Sequence, residues 1–224
     1  MTHARLIDTA TPSTPRGIVL VLHGGGARRR PMRVKPTQLS VLRMVPVASR
    51  IARAAPGELA VLRLLNSTRG WDADHTPVDD VRWALREVGA RFGPDLPVGL
   101  VGHSLGGRAA LLAAGEPPVV SVVALNPWVH PREEHLDLAG RQVLIVHGGD
   151  DRVARPTSSA AMARDLARTA RVGYVTVEGG SHAMLRRRDV FDGLAADFAA
   201  ATLLRRPPEG VVARVLAGEE WVGV

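Results

Sequence analysis

The chain has no cysteine. Disulfides, thiolate metal sites and a cysteine nucleophile are therefore excluded. Aromatic residues make up only 4% of the sequence, and neither an aromatic–basic RNA-binding pattern nor a zinc-finger spacing is present. Lysine is nearly absent: Lys35 stands alone, and arginine carries the net charge of +7. Without a nucleic-acid motif, that charge reads as an arginine-biased, solvated surface, and no nucleic-acid partner is expected. Long hydrophobic runs are missing too. No stretch approaches the ~20 apolar residues that cross a bilayer. The opening residues, "MTHARLIDTATPSTPR", lack the apolar centre of a signal peptide. The expectation is a cytoplasmic protein with no membrane partner.

What the chain does have is alternation. Short runs of Val, Leu and Ile recur at Gly17–Leu22, Leu59–Leu65, Pro97–Val101, Val119–Leu125, Gln142–Val146 and Gly173–Val177. Such runs read as strands buried on both faces. Helical spacing lies between them, at Leu39–Ala54, Val78–Phe92, Leu105–Ala114, Thr157–Thr169 and Met184–Leu204. Pro46 should kink or restart the first helix. Thr76 is a candidate N-cap for the second, with Pro77 in its first turn. The order predicts an α/β fold: a mostly parallel, twisted sheet of about six to seven strands with helices on both faces. Ligand sites in such sheets lie beyond the carboxyl ends of the strands. With 224 residues, one domain is expected, its core running from about 17 to 204. The tail 205–224, broken at Pro207–Pro208, should dock rather than remain free.

One strand-to-helix join carries chemistry. "GHSLGG" gives G-x-S-x-G over Gly102 to Gly106, with a strand before it and a helix after. A sharp turn there lifts the Ser104 hydroxyl clear of the sheet, and glycines leave room where strand and helix cross. The helix N-terminus offers the Leu105 N–H to a developing oxyanion. A serine hydroxyl needs a base, and the base needs an orienting acid. Asp150 and Asp151 follow the strand Gln142–Val146, and His182 follows the strand Gly173–Val177. Of the eight histidines, His182 alone combines a Gly-rich loop, a place after the last strand and the right order. His23 and His147 should orient loops, and His103 should face away from the apex of the turn. After the strand Gly17–Leu22, "HGGG" supplies a second oxyanion donor, Gly25 N–H first and Gly26 next.

These motifs resemble the α/β-hydrolase superfamily from about Gly17 to Leu204. They are "HGGG" at His23, "GHSLGG" at Gly102, "HGGDDRV" at His147 and "GGSHAML" at Gly179. The third is similar to the family's H-G-x-x-D pattern, which selects Asp151 as the acid. The resemblance implies a Ser104–His182–Asp151 triad that cleaves a carboxylic ester through an acyl-enzyme, with no metal or organic cofactor. Within it the chain most resembles small bacterial serine hydrolases related loosely to dienelactone hydrolases and short esterases, with the departure that dienelactone hydrolases use a cysteine nucleophile where this chain has Ser104. The expected partner is a small-molecule acyl ester. Only 126–141 separates two strands where many family members insert a lid, so a nearly lidless site for small or accessible acyl groups is expected. Trp71 and Trp128 follow strand ends and are candidate substrate-binding walls. Arg28–Arg30 and Arg186–Arg188 follow the glycine and histidine loops and are expected near the rim, where they would attract anionic esters.

Overall fold

All six apolar runs become strands, and they form the centre of one sheet in the computed structural model, which describes residues 3–26, 33–130 and 136–224. The strands are β1 (Arg5–Ala10), β2 (Gly17–Leu22), β3 (Leu59–Leu65), β4 (Val98–His103), β5 (Val119–Leu125), β6 (Gln142–Gly148), β7 (Arg171–Val177) and β8 (Trp221–Gly223). The helices are α1 (Leu39–Leu42), α2 (Met44–Ala54), α3 (Thr76–Phe92), α4 (Leu105–Leu112), α5 (Pro156–Leu166), α6 (Arg188–Leu204) and α7 (Gly210–Leu216). The sheet order is β1-β3-β2-β4-β5-β6-β7-β8, and only the β1–β3 pair is antiparallel. Eight strands exceed the expected six to seven. The two additional strands are the edges, too short or too polar to show a buried run.

Alternate residues of each inner strand feed two cores. Ile18, Leu20 and Leu22 face the layer holding Val81, Leu85, Leu111 and Leu166. Val19 and Val21 face Met44, Val47, Ile51, Phe191 and Phe198. Burying each such aliphatic side chain contributes about 1.5–3 kcal/mol, which makes the sheet a firm platform for the loops above it.

The first long helix is split. α1 ends at Leu42 and α2 restarts at Met44, which leaves Pro46 in the first turn, where its missing N–H costs nothing. Thr76 is not the N-cap of α3. His75 holds that position with φ 56°, and the Asp72 carboxylate accepts the Thr76 N–H at 2.8 Å. The tail docks through α7, whose Val212 and Val215 join the second core, and through β8, which pairs in parallel with β7. Among the described residues, no helix is long and apolar enough to cross a membrane.

Chain order reverses between β2 and β4, which lie side by side although β3 separates them in sequence. The loops leaving their carboxyl ends diverge there and open a crevice. Those loops begin at His23 and at Ser104.

Candidate functional site

Ser104 sits between β4 and α4 with φ 55° and ψ −118°, a conformation that L side chains rarely adopt. Holding it costs on the order of 1–3 kcal/mol. Three backbone hydrogen bonds fix it: Ser104 N–H donates to Leu125 O at 3.0 Å, and Ser104 O accepts from Arg108 and Trp128 N–H, each at 3.1 Å. The flanking glycines are steric necessities. A Cβ on Gly102 would strike the Gly106 carbonyl, and one on Gly106 would come within 2.6 Å of the carbonyl oxygens of Leu22 and His23.

The serine does not stand alone. Its Oγ–H donates to His182 Nε2 at 3.0 Å, and His182 Nδ1–H donates to Asp151 Oδ2 at 2.7 Å. The other carboxylate oxygen accepts the N–H groups of Val153 and Ala154 at 2.8 and 2.9 Å. Burial by itself would raise the Asp151 pKa. Hydrogen bonds from His147, His182 and the Val153 N–H outweigh it and hold the carboxyl below the usual range. Asp151 is therefore an anion across the neutral range, fit to keep the proton of His182 on Nδ1 and leave Nε2 free to accept. Asp150, the neighbouring candidate, is exposed, and its N–H bonds Gly180 O.

Three residues hold this line in place, and the sequence reading assigned two of them no such part. Asn126, fully buried at φ 43°, joins both loops. Its Oδ1 accepts the Gly148 N–H at 2.8 Å, and its Nδ2 donates to Ser181 O at 3.0 Å and His182 O at 3.2 Å. An Asn at a strand end, where left-handed backbone suits it, was the available signal. His103 does not face away. Its Nε2–H donates to His182 O at 2.8 Å, and the two rings lie 5.0 Å apart. His147 lies behind the acid, 3.3 Å from Asp151 Oδ2, and accepts from the Ser159 hydroxyl at 2.7 Å. Ser159 in turn meets the Tyr174 hydroxyl at 3.1 Å, and Tyr174 packs on Trp221 of β8. The loop-orienting part expected of His147 thus extends to the carboxylate.

His103 makes the fold sensitive to acid. Burial, assisted by the adjacent His182 ring, pushes its imidazole down to about 3. Unfolded, the same ring takes up a proton below about pH 6.5. Between those values the unfolded chain binds more protons, so stability falls as pH falls, by up to about 1.4 kcal/mol per pH unit. His103→Gln keeps a donor for His182 O and removes this titration. Urea midpoints measured from pH 6.5 to 4 should decline less steeply in that variant. Equal slopes would refute the assignment.

Above Ser104 opens a cavity of about 820 Å³, lined by Gly24, Gly25, Gly26, Leu105, His182 and Trp128 among others. Leu105 is the first residue of α4, so its N–H has no acceptor within the helix. A Cβ on Gly25 would come within 3.1 Å of the Gly70 backbone nitrogen, so a side chain there would crowd the neighbouring loop. Trp128 borders the cavity, but Trp71 does not. Trp71 lies under Arg108, whose guanidinium carbon sits 4.0 Å from the ring centre. Arg188 reaches the rim, but its Nε lies 3.6 Å from Asp192, and Arg187 instead points to Glu178 O. Arg28–Arg30 lie outside the described residues. Among the described residues, no group of three His, Cys, Asp or Glu side chains is placed to hold a metal.

The family model of the alpha/beta hydrolase fold matches residues 65–178. The chain belongs to that family. The matched span of this alpha/beta hydrolase-fold protein includes Ser104 and Asp151 and ends before His182. Solved structures share the fold. Est1E from Butyrivibrio proteoclasticus matches with a TM-score of 0.64 at 16% identity, over 90% of this chain and 94% of that one. A serine hydrolase without lid from Xanthomonas campestris matches at 0.64 and 17%, over 94% and 98%. The esterase domain of a Rhodothermus marinus protein matches at 0.57 and 18%, over 88% and 97%. No curated protein matches the sequence.

Proposed function

We propose that this chain is a serine hydrolase that cleaves carboxylic esters through an acyl-enzyme. The observation that carries the reading is the unbroken line from the Ser104 hydroxyl through both ring nitrogens of His182 to an ionised, buried Asp151. Ser104 Oγ attacks the acyl carbonyl while His182 Nε2 takes its proton. Asp151 holds the tautomer and stabilises the imidazolium. The N–H groups of Leu105 and Gly25 receive the oxyanion, each donor accounting for roughly 10²–10³ in rate. The ring then protonates the departing alcohol. Water, activated by the same ring, releases the acid and restores the serine. No metal enters these steps, and the substrate is a small molecule. A fluorophosphonate probe tests the reading. Wild-type protein should form a covalent adduct at Ser104, and Ser104→Ala should form none. An unlabelled wild type, or equal labelling of both, would sink it.

A further inference from the structure

Five large hydrophobic side chains are strongly exposed among the described residues: Leu39 (85%), Leu42 (46%), Val153 (63%), Leu185 (71%) and Trp221 (40%). Four of them, all but Trp221, border the cavity that holds Ser104. They arrive from three separate segments. Leu39 and Leu42 are on α1, Val153 follows Asp151 in the acid loop, and Leu185 follows His182 in the histidine loop. Pro46 joins them from the first turn of α2. Single exposed leucines need no explanation, but a cluster around one opening does.

Building on the serine-hydrolase reading, we infer that the site takes esters bearing an aliphatic chain of medium length, laid along Leu39, Leu42, Val153 and Leu185. The volume agrees. A cavity of about 820 Å³ falls in the range that encloses a ligand of drug size, far beyond what an acetyl group fills. The alternative of an anionic substrate is weaker, because the rim arginines are engaged by the protein. Arg43 donates to Met184 O at 2.5 Å, and Arg188 faces Asp192. Arg69 also lines the wall, and its buried Nε, like that of Arg43, finds no partner among the described residues. The inference narrows the expectation of small or accessible acyl groups to the second of these. The described rim is apolar.

The chain can belong to the acyl or to the alcohol part, and two ester series separate these. The first varies the acid (p-nitrophenyl acetate, butyrate, hexanoate, octanoate). The second varies the alcohol (ethyl, butyl, hexyl and octyl acetate). All are used below the concentration at which they form micelles. In one series kcat/KM should rise by up to about fourfold per methylene, the transfer free energy of a fully buried CH₂. The double variant Leu39→Ser/Leu185→Ser should flatten that series, with a deficit that grows with chain length. Its labelling by fluorophosphonate reports that the rest of the site is intact. Flat series in wild type, or a slope the double variant leaves unchanged, overturn the inference. So does a preference for a dicarboxylic half-ester over the octanoate, which would favour anion recognition at Arg69. So does a change in dimerisation or vesicle binding with the series unaltered, which would assign the leucines to a second copy or a lipid surface. Ser104-dependent acetate turnover with flat series leaves the hydrolase reading standing and removes this one. Absence of any labelling removes both.

Discussion

Ser104→Ala should lower ester turnover by about 10⁶-fold, the size of loss seen when one member of a cooperating triad is removed. The expected size follows from the geometry. Among the described residues, His182 Nε2 has one hydroxyl within hydrogen-bond distance, Ser104 Oγ at 3.0 Å, and no cysteine exists to substitute. Removing the hydroxyl leaves the oxyanion donors and the cavity, so a residual rate of about 10³–10⁴ over water is expected. Folding should barely change, because Ser104 is held through its backbone. Alanine at φ 55° is strained as serine is. Single-turnover hydrolysis of an activated ester, checked by mass spectrometry for acyl-enzyme in the wild type, measures the effect. A loss below a hundredfold would mean that another nucleophile does the work.

Asp151→Asn should reduce kcat by about 10⁴ at neutral pH while leaving the fold in place. One oxygen of the new amide can still accept from Val153 and Ala154, as Oδ1 does now. The amide nitrogen then replaces Oδ2 and presents hydrogens to His182 Nδ1 and His147 Nε2, both of which now point at an acceptor. Two donors cannot share that bond. His182 must shift its proton to Nε2, and in that tautomer it cannot take the proton of Ser104. Asp150→Asn, on an exposed side chain of the same loop, is the control and should change kcat by less than threefold. Stopped-flow ester hydrolysis across pH, with circular dichroism of each variant, measures both. Equal losses at 150 and 151 would remove Asp151 from its proposed part.

The residues that meet at Ser104 were legible because each lies just after a strand of the sheet's buried middle, where continuous Val, Leu and Ile runs mark the strands. The chemistry then follows from which loops share the carboxyl edge. The edges were not legible. β1 reads "RLIDTA", half exposed along its length, so no buried run marks it. β8 spans three residues and depends on partners rather than on its own pattern. Asp151 could not be chosen over Asp150 from spacing alone. The distinction lies in which carboxylate the loop turns inward, and the bonds to Val153 and Ala154 make that turn. Trp71 was misplaced because a position after a strand end does not say which side of the sheet a ring covers. The apolar rim was missed because Leu39 and Leu42 fit a buried helical pattern. The break at Arg43 rotates them outward into a separate helical turn.

β8 also covers the outer side of β7. Its pairing with β7 continues beyond the strand, through Val224 N–H to Thr176 O and Glu178 N–H to Val224 O. Take those few residues away and the backbone donors and acceptors of β7 are left open along that side, flanked by Tyr174 and Val175. An unpaired border of that kind recruits whatever extended chain is nearby. Loss of this short segment would therefore show first as self-association in solution, ahead of any change in unfolding temperature.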